Sequence, residues 1–198
     1  MPENAARAPN PYGPTSEAAV AAFEQSLGHA LPKPYRDWLF ADNGADFEKD
    51  TLPLEGGDAV SVHHVYGLHD GPEVLRLQTQ WRLADRYELE AWASDLARFL
   101  AFADTGTGDI LLLDLEDGSV LLYEHDVEDA AQGGMPGRLV RVAPDFGAFL
   151  GCLMSLKEHL IAEGGQEAFD AFEAQLERLR AQRRARVQAR LEAEGRKE

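Results

Sequence analysis

Only one cysteine, Cys152, occurs in the 198 residues. A lone thiol can neither close an intramolecular disulfide nor build a thiolate metal cluster within one chain, a pattern that fits a reducing compartment. Long apolar runs are missing as well. No stretch approaches the ~18 residues that a membrane span requires, and the opening "MPENAARAPNPYGPT" lacks the apolar core of a secretory signal. A cytoplasmic location is therefore expected. Positive charge is scarce: 19 Lys+Arg stand against 35 Asp+Glu, for a net charge of −16. The deficit lies in the body, because residues 1–165 carry 11 cationic and 28 anionic side chains while residues 166–198 carry 8 and 7. Such a body repels nucleic acid and steers basic proteins toward itself, more weakly as salt rises. Solubility alone is the plainer reading of the same acidity.

Catalytic signatures are also lacking. There is no Gly-x-Ser-x-Gly elbow and no phosphate-binding Gly-Lys-Ser/Thr loop, and Gly106-Thr107-Gly108 reads as a turn. Cys152 lies in register with Phe149, Leu153 and Leu156 on an apolar helical face, where burial would silence it as a nucleophile. No enzyme is expected.

What is present is a folded core. Apolar residues make up 44% of the chain, and all nine phenylalanines and three tryptophans fall before residue 173. Residues 1–14 hold four prolines and read as an extended segment. Thr15 or Ser16 caps a helix carrying Val20, Phe23 and Leu27, which Gly28 ends. A second helix opens at Pro34, buries Tyr35, Trp38 and Leu39, and stops at Asn43-Gly44. Helical spacing is then lost. One strand is expected over 59–65, a weak helix over 72–80, and the run from Trp81 to Asp95 stays ambiguous. Glycine-rich breaks at 105–108 and at Asp117-Gly118, the latter a two-residue hairpin signal, predict a meander of strands near 98–103, 109–114 and 119–124. A fourth strand follows near 138–143. Pro144-Asp145 then begins a helix with a broad apolar face from Phe146 to Leu160. A final helix keeps Phe169, Phe172, Leu176 and Leu179 in register before its stripe fails at Arg183 and Arg186. Helices, then strands on short turns, then helices define an α+β domain over 15–165, its antiparallel or mixed sheet packed on one face by helices, with a charged helical extension over 166–198.

Two clusters invite chemistry. His63, His64, His69 and Asp70 are the metal candidates, but neighbouring residues on a strand face opposite ways, so His63 and His64 cannot share an ion without a bulge. The expectation is no metal and no cofactor. The acids of "FLAFADTGTGDILLLDLEDGSVLLYEHD" are the second cluster. Asp104, Glu116 and Asp117 read as turn residues that hydrogen-bond local backbone, and Asp109 and Asp114 differ by five and so face opposite ways on a regular strand. Trp81 can serve a core or an interface equally well, whereas Trp38 reads as core. The tail arginines, Arg178 to Arg190, can contact phosphates, lie along a second copy or the acidic body, or be solvated; the missing aromatic interleaving argues against nucleic acid.

Against this background, Leu31, Pro32, Tyr35, Arg36, Leu39, Asn43 and Gly44 in "LPKPYRDWLFADNGA" resemble the opening motif of the SUKH superfamily, which includes bacterial immunity proteins and a fungal regulator of cell-wall synthesis. Gly106 to Asp109, the strand ending in Asp114 and the hairpin to His125-Asp126 look like its second block, and Phe146 to Leu150 its closing helix. The likeness spans roughly residues 16–160. It implies an α+β domain that binds a protein, in many members a basic toxin such as a nuclease made by the same cell. In that reading Asp46, Glu48, Asp104, Asp109, Glu116 and Asp117 supply an acidic rim and Trp81 an anchor; apart from the resemblance, the final helix offers a surface for homodimer pairing. A regulatory adaptor with no toxin partner is the alternative. The segment 81–95 is longer and more charged than the family pattern, and the Arg-rich tail lies outside it.

Overall fold

The computed structural model describes residues 10–44, 46–127 and 135–194. Most of the N-terminal segment and of the irregular stretch before residue 135 lie outside the described residues. The chain forms two compact units, the first ending at Ser155 and the second beginning at Leu156.

In the first unit Ser16 caps α1 (Glu17–Leu27), its hydroxyl accepting from the Ala19 N–H at 3.1 Å, and Gly28 ends the helix with φ of 74°. Helix α2 (Lys33–Ala41) begins one residue before the expected Pro34 and buries Tyr35, Trp38 and Leu39. Six strands follow in a purely antiparallel meander, each paired with its neighbours in sequence: β1 (Thr51–Pro53), β2 (Ala59–Val65), β3 (Phe99–Thr105), β4 (Ile110–Asp114), β5 (Val120–Glu124) and β6 (Arg138–Ala143). The short β1 is one strand more than the sequence predicted. Between β2 and β3 the chain makes a 3-10 turn (Glu73–Leu75), α3 (Leu77–Gln80), α4 (Leu83–Arg86), a second 3-10 turn (Glu90–Trp92) and α5 (Ala93–Leu96). The weak helix expected over 72–80 thus divides in two, and the ambiguous run after it resolves into single helical turns.

Helices α2 and α6 (Phe146–Cys152) pack together over the sheet. Tyr35, Trp38, Phe47, Phe102, Phe146 and Phe149 meet there with ring centroids 4.9–5.9 Å apart. Each such fully buried ring contributes about 1.5–3 kcal/mol. Every residue of β3 and β4 is buried, so both faces of the sheet centre are shielded. This is the α+β class expected.

Three local readings need correction. The hairpin at Asp117-Gly118 is wider than two residues, because the Asp114 N–H bonds the Ser119 carbonyl at 2.9 Å. Asp114 and Asp117 each accept from a backbone N–H two residues on, at 2.9 and 2.8 Å, and these Asx turns support the longer loop. The helix from Phe146 does not continue to Leu160: Leu153 turns extended, and Met154 exchanges two 2.9 Å backbone bonds with Thr51 of β1. That break leaves Cys152 exposed, against the buried thiol expected.

The second unit is α7 (Leu156–Glu194), broken by Gly165 at φ of 71°. Lys157 lies 4.9 Å over the Phe169 ring. Leu179, expected as the last member of the apolar stripe, is exposed, as is Val187, so the stripe ends one turn sooner than its spacing predicts.

Candidate binding surface

The acids that crowd together in the sequence are parted by the sheet. Asp104 and Asp109 flank the β3–β4 turn, whereas Asp114, Glu116 and Asp117 lie at the β4–β5 turn, a strand length or about 17 Å away. Asp46 and Glu48 are exposed and flank Phe47, which is buried against Trp38 and Phe149 in the helical layer. No single rim holds all six.

Asp104 is not a turn residue. It lies inside β3, one residue before its end, at 8% exposure, and its carboxylate accepts from the His64 N–H at 3.1 Å, the Tyr66 hydroxyl at 3.2 Å and Arg86 Nη2 at 3.1 Å. Arg86 Nη1 donates to the Tyr66 oxygen at 2.5 Å. Burial, with Asp104 adding to it, pushes the Tyr66 phenol well above its ordinary range despite Arg86, so the hydroxyl stays a donor. Asp109 is similarly engaged, accepting from the His125 N–H at 3.1 Å and facing its Nδ1 at 2.8 Å, while the Tyr87 ring lies tilted against His125 at 5.5 Å and its hydroxyl donates to the Gly108 carbonyl. At the other end, Arg98 reaches Asp114 at 2.5 Å and Glu116 at 2.9 Å, and Asp114 is 2% exposed. Hydrogen bonds from Ser119 hold Asp117 below the usual carboxylate range. Asp104, Asp109 and Asp114 are thus committed to the fold; Glu116 and Asp117 are exposed. Arg86, which claims Asp104, and Arg98, which claims Asp114 and Glu116, come from elsewhere in the chain, and the sequence held no signal of either pairing.

Trp81 is half-buried on a cleft of about 360 Å³, lined also by Leu83, Leu96 and Phe99 and by the polar Arg82 and Asp85. The Trp81 carbonyl accepts from the Ala101 N–H at 2.9 Å, which ties the α3–α4 junction to the sheet. Arg82 lies 4.7 Å over the indole and Arg98 4.9 Å over the Phe99 ring. The result is an aromatic floor with charged walls, a geometry suited to a partner side chain.

The histidines correct a second expectation. Pairing between β2 and β3 slips by one residue between Val62 and His64, leaving His63 as the extra residue of a bulge. His63 and His64 do not point apart; their rings lie 4.0 Å centroid to centroid. His69 sits elsewhere, against Tyr12 at 4.4 Å, its Nδ1 accepting from the Gly71 N–H. Asn43, read in sequence as a helix stop and a motif residue, is a buried side chain at φ of 45° that bonds both the N–H and the carbonyl of Leu68 and the Gly13 carbonyl.

A meander sheet under a two-helix layer, with Asp104 and Asp114 held by Arg86 and Arg98 and a cleft beside Trp81, defines an α+β domain. No helix among the described residues is long and apolar enough to cross a membrane. The model of the SMI1 / KNR4 family (SUKH-1) matches residues 14–152, and the chain belongs to that family. No curated protein matches the chain in sequence.

Proposed function

We propose that this chain is a non-enzymatic, cytoplasmic binding protein that neutralises a toxin made by the same cell, a basic nuclease, by covering its working surface. Its family acts by protein binding. The observation that carries the reading is the Trp81 cleft, a half-buried indole under Arg82 beside the buried Phe99, on a body with a large excess of negative charge. A basic partner is drawn in by the long-range field, and a partner side chain seated on Trp81 and Phe99 supplies the desolvated contact. Exposed Asp85, Glu116 and Asp117 serve as steering charges, with Asp46 and Glu48 contributing to the overall field.

The test is surface-captured binding and nuclease inhibition with the toxin candidate encoded beside this gene. Trp81→Ala is expected to weaken binding by roughly thirtyfold or more, the mark of a hot-spot aromatic. Reversing Asp85, Glu116 and Asp117 to lysine should slow association and flatten its salt dependence. Unchanged affinity in the Trp81 variant together with unchanged on-rates in the lysine variant would refute the surface. A captured partner without toxic activity would point to the adaptor role instead.

A further inference from the structure

Adjacent histidines on a regular strand cannot converge on one ion, and the β2–β3 bulge removes that obstacle. With His63 as the extra residue, one ligand atom each from His63, His64 and Asp104 lies within 4.8 Å of the others. We propose that these three side chains form a binding site for one divalent transition-metal ion of the zinc type.

The distances fit. Ligand atoms at about 2.1 Å from a tetrahedral zinc stand about 3.4 Å apart. His64 Nδ1 lies 3.1 and 3.4 Å from the two Asp104 carboxylate oxygens, already near that edge length. His63 is exposed, so side-chain rotation can bring its imidazole inward without disturbing the core. The ion would take the place of the present contact between His64 Nδ1 and the Asp104 carboxylate.

The surroundings of the carboxylate match those of a metal ligand. Asp104 Oδ2 is occupied by the Tyr66 hydroxyl and by Arg86, and Oδ1 takes the backbone N–H of His64. One Oδ1 lone pair is left for the ion, making Asp104 a monodentate ligand oriented by its neighbours. Two imidazole nitrogens and one carboxylate oxygen favour zinc, cobalt, nickel or copper over magnesium and calcium, which prefer all-oxygen shells. Arg86 balances the Asp104 charge locally, and the acidic body favours the arriving cation. Solvent on the His63 side completes the fourth position. The ion would clasp β2 to β3 where their register slips.

The experiment uses the full chain without a histidine tag, titrated with Zn2+ by calorimetry and with Co2+ by visible absorption, beside His63→Ala and a control, His29→Ala, at an exposed histidine outside the site. One equivalent is expected to bind, with the Co2+ spectrum of a low-coordinate nitrogen and oxygen site and a higher melting temperature with Zn2+. His63→Ala should weaken binding at least about tenfold, the scale on which loss of even an outer-shell partner is felt, and His29→Ala should leave it unchanged. Should His63→Ala fail to fold, paramagnetic broadening by Co2+ in the wild-type chain decides, with the imidazole signals of His63 and His64 lost first. No stoichiometric binding, equal affinity in the His63 variant, or broadening centred on other histidines would overturn the site.

Discussion

Replacing Asn43 with alanine should cost this protein a large part of its stability, although the residue reads in sequence as a helix stop. Its amide is 1% exposed and makes three hydrogen bonds: Nδ2 donates to the carbonyls of Gly13 at 2.9 Å and Leu68 at 3.1 Å, and Oδ1 accepts from the Leu68 N–H at 2.8 Å. Leu68 is itself buried, so its two backbone groups lose their partner away from water. At about 1 kcal/mol per lost bond, with further desolvation cost for each orphaned group, the loss is about 3–4 kcal/mol. Alanine at φ of 45° adds about 1 kcal/mol of left-handed strain that asparagine tolerates and glycine avoids. Asn43→Ala is therefore expected to lose about 4–5 kcal/mol and Asn43→Gly about 1 kcal/mol less. Urea unfolding followed by tryptophan fluorescence reads this directly, since Trp38, Trp81 and Trp92 all lie in the first unit. With a slope of about 2 kcal/mol/M the midpoint falls by about 2 M. A shift under about 0.5 M in both variants would show that the Asn43 bonds to Leu68 add nothing to stability.

Tyr35 offers the opposite outcome: its hydroxyl is buried and finds no protein partner among the described residues, so Tyr35→Phe should be neutral or stabilising by about 1 kcal/mol in the same urea assay. Asp104→Asn should destabilise by about 2–4 kcal/mol, below the range for a fully buried pair because the Arg86 side chain keeps 29% exposure, and adding Arg86→Met should recover part of the loss. Equal losses in the single and double variants would dismiss the pair. Burial, reinforced by Arg76, holds the His69 pKa below its ordinary value. The folded chain therefore binds fewer protons than the unfolded one below about pH 6.5, so this stability is complete above that pH and declines as pH falls through the folded pKa. His69→Asn should flatten the acid slope of the melting temperature, and an unaltered slope would assign it to other groups.

Periodicity and turn chemistry reveal much of the architecture. Ser16 and Gly28 frame α1, glycine-rich breaks separate β3, β4 and β5, and the SUKH likeness read from residues 31–44 agrees with the family match. What stayed hidden depended on contacts between distant residues. The Phe146 helix keeps helical spacing through Leu160, yet Thr51 captures Met154 and ends it early. Asp104 carries the composition of a turn, but Arg86, 18 residues away, makes burial tolerable. Two neighbouring histidines spell alternation until a bulge in their own strand makes one of them an extra residue in the pairing with β3. Trp81 left both roles open, and its half-buried position on a cleft shows why composition alone did not decide.

Because every strand of the meander bonds its immediate neighbours in the chain, the sheet can be laid down in the order of synthesis. Each strand leaving the ribosome meets an edge already waiting for it, and loop closure is short at every step but β2 to β3, where the helical turns intervene. The Thr51–Met154 clasp joins residues about a hundred positions apart, so, like the packing of α2 on α6, it can close only once nearly all of the first unit has been made. Translation through Met154 is thus the point at which the nascent domain locks.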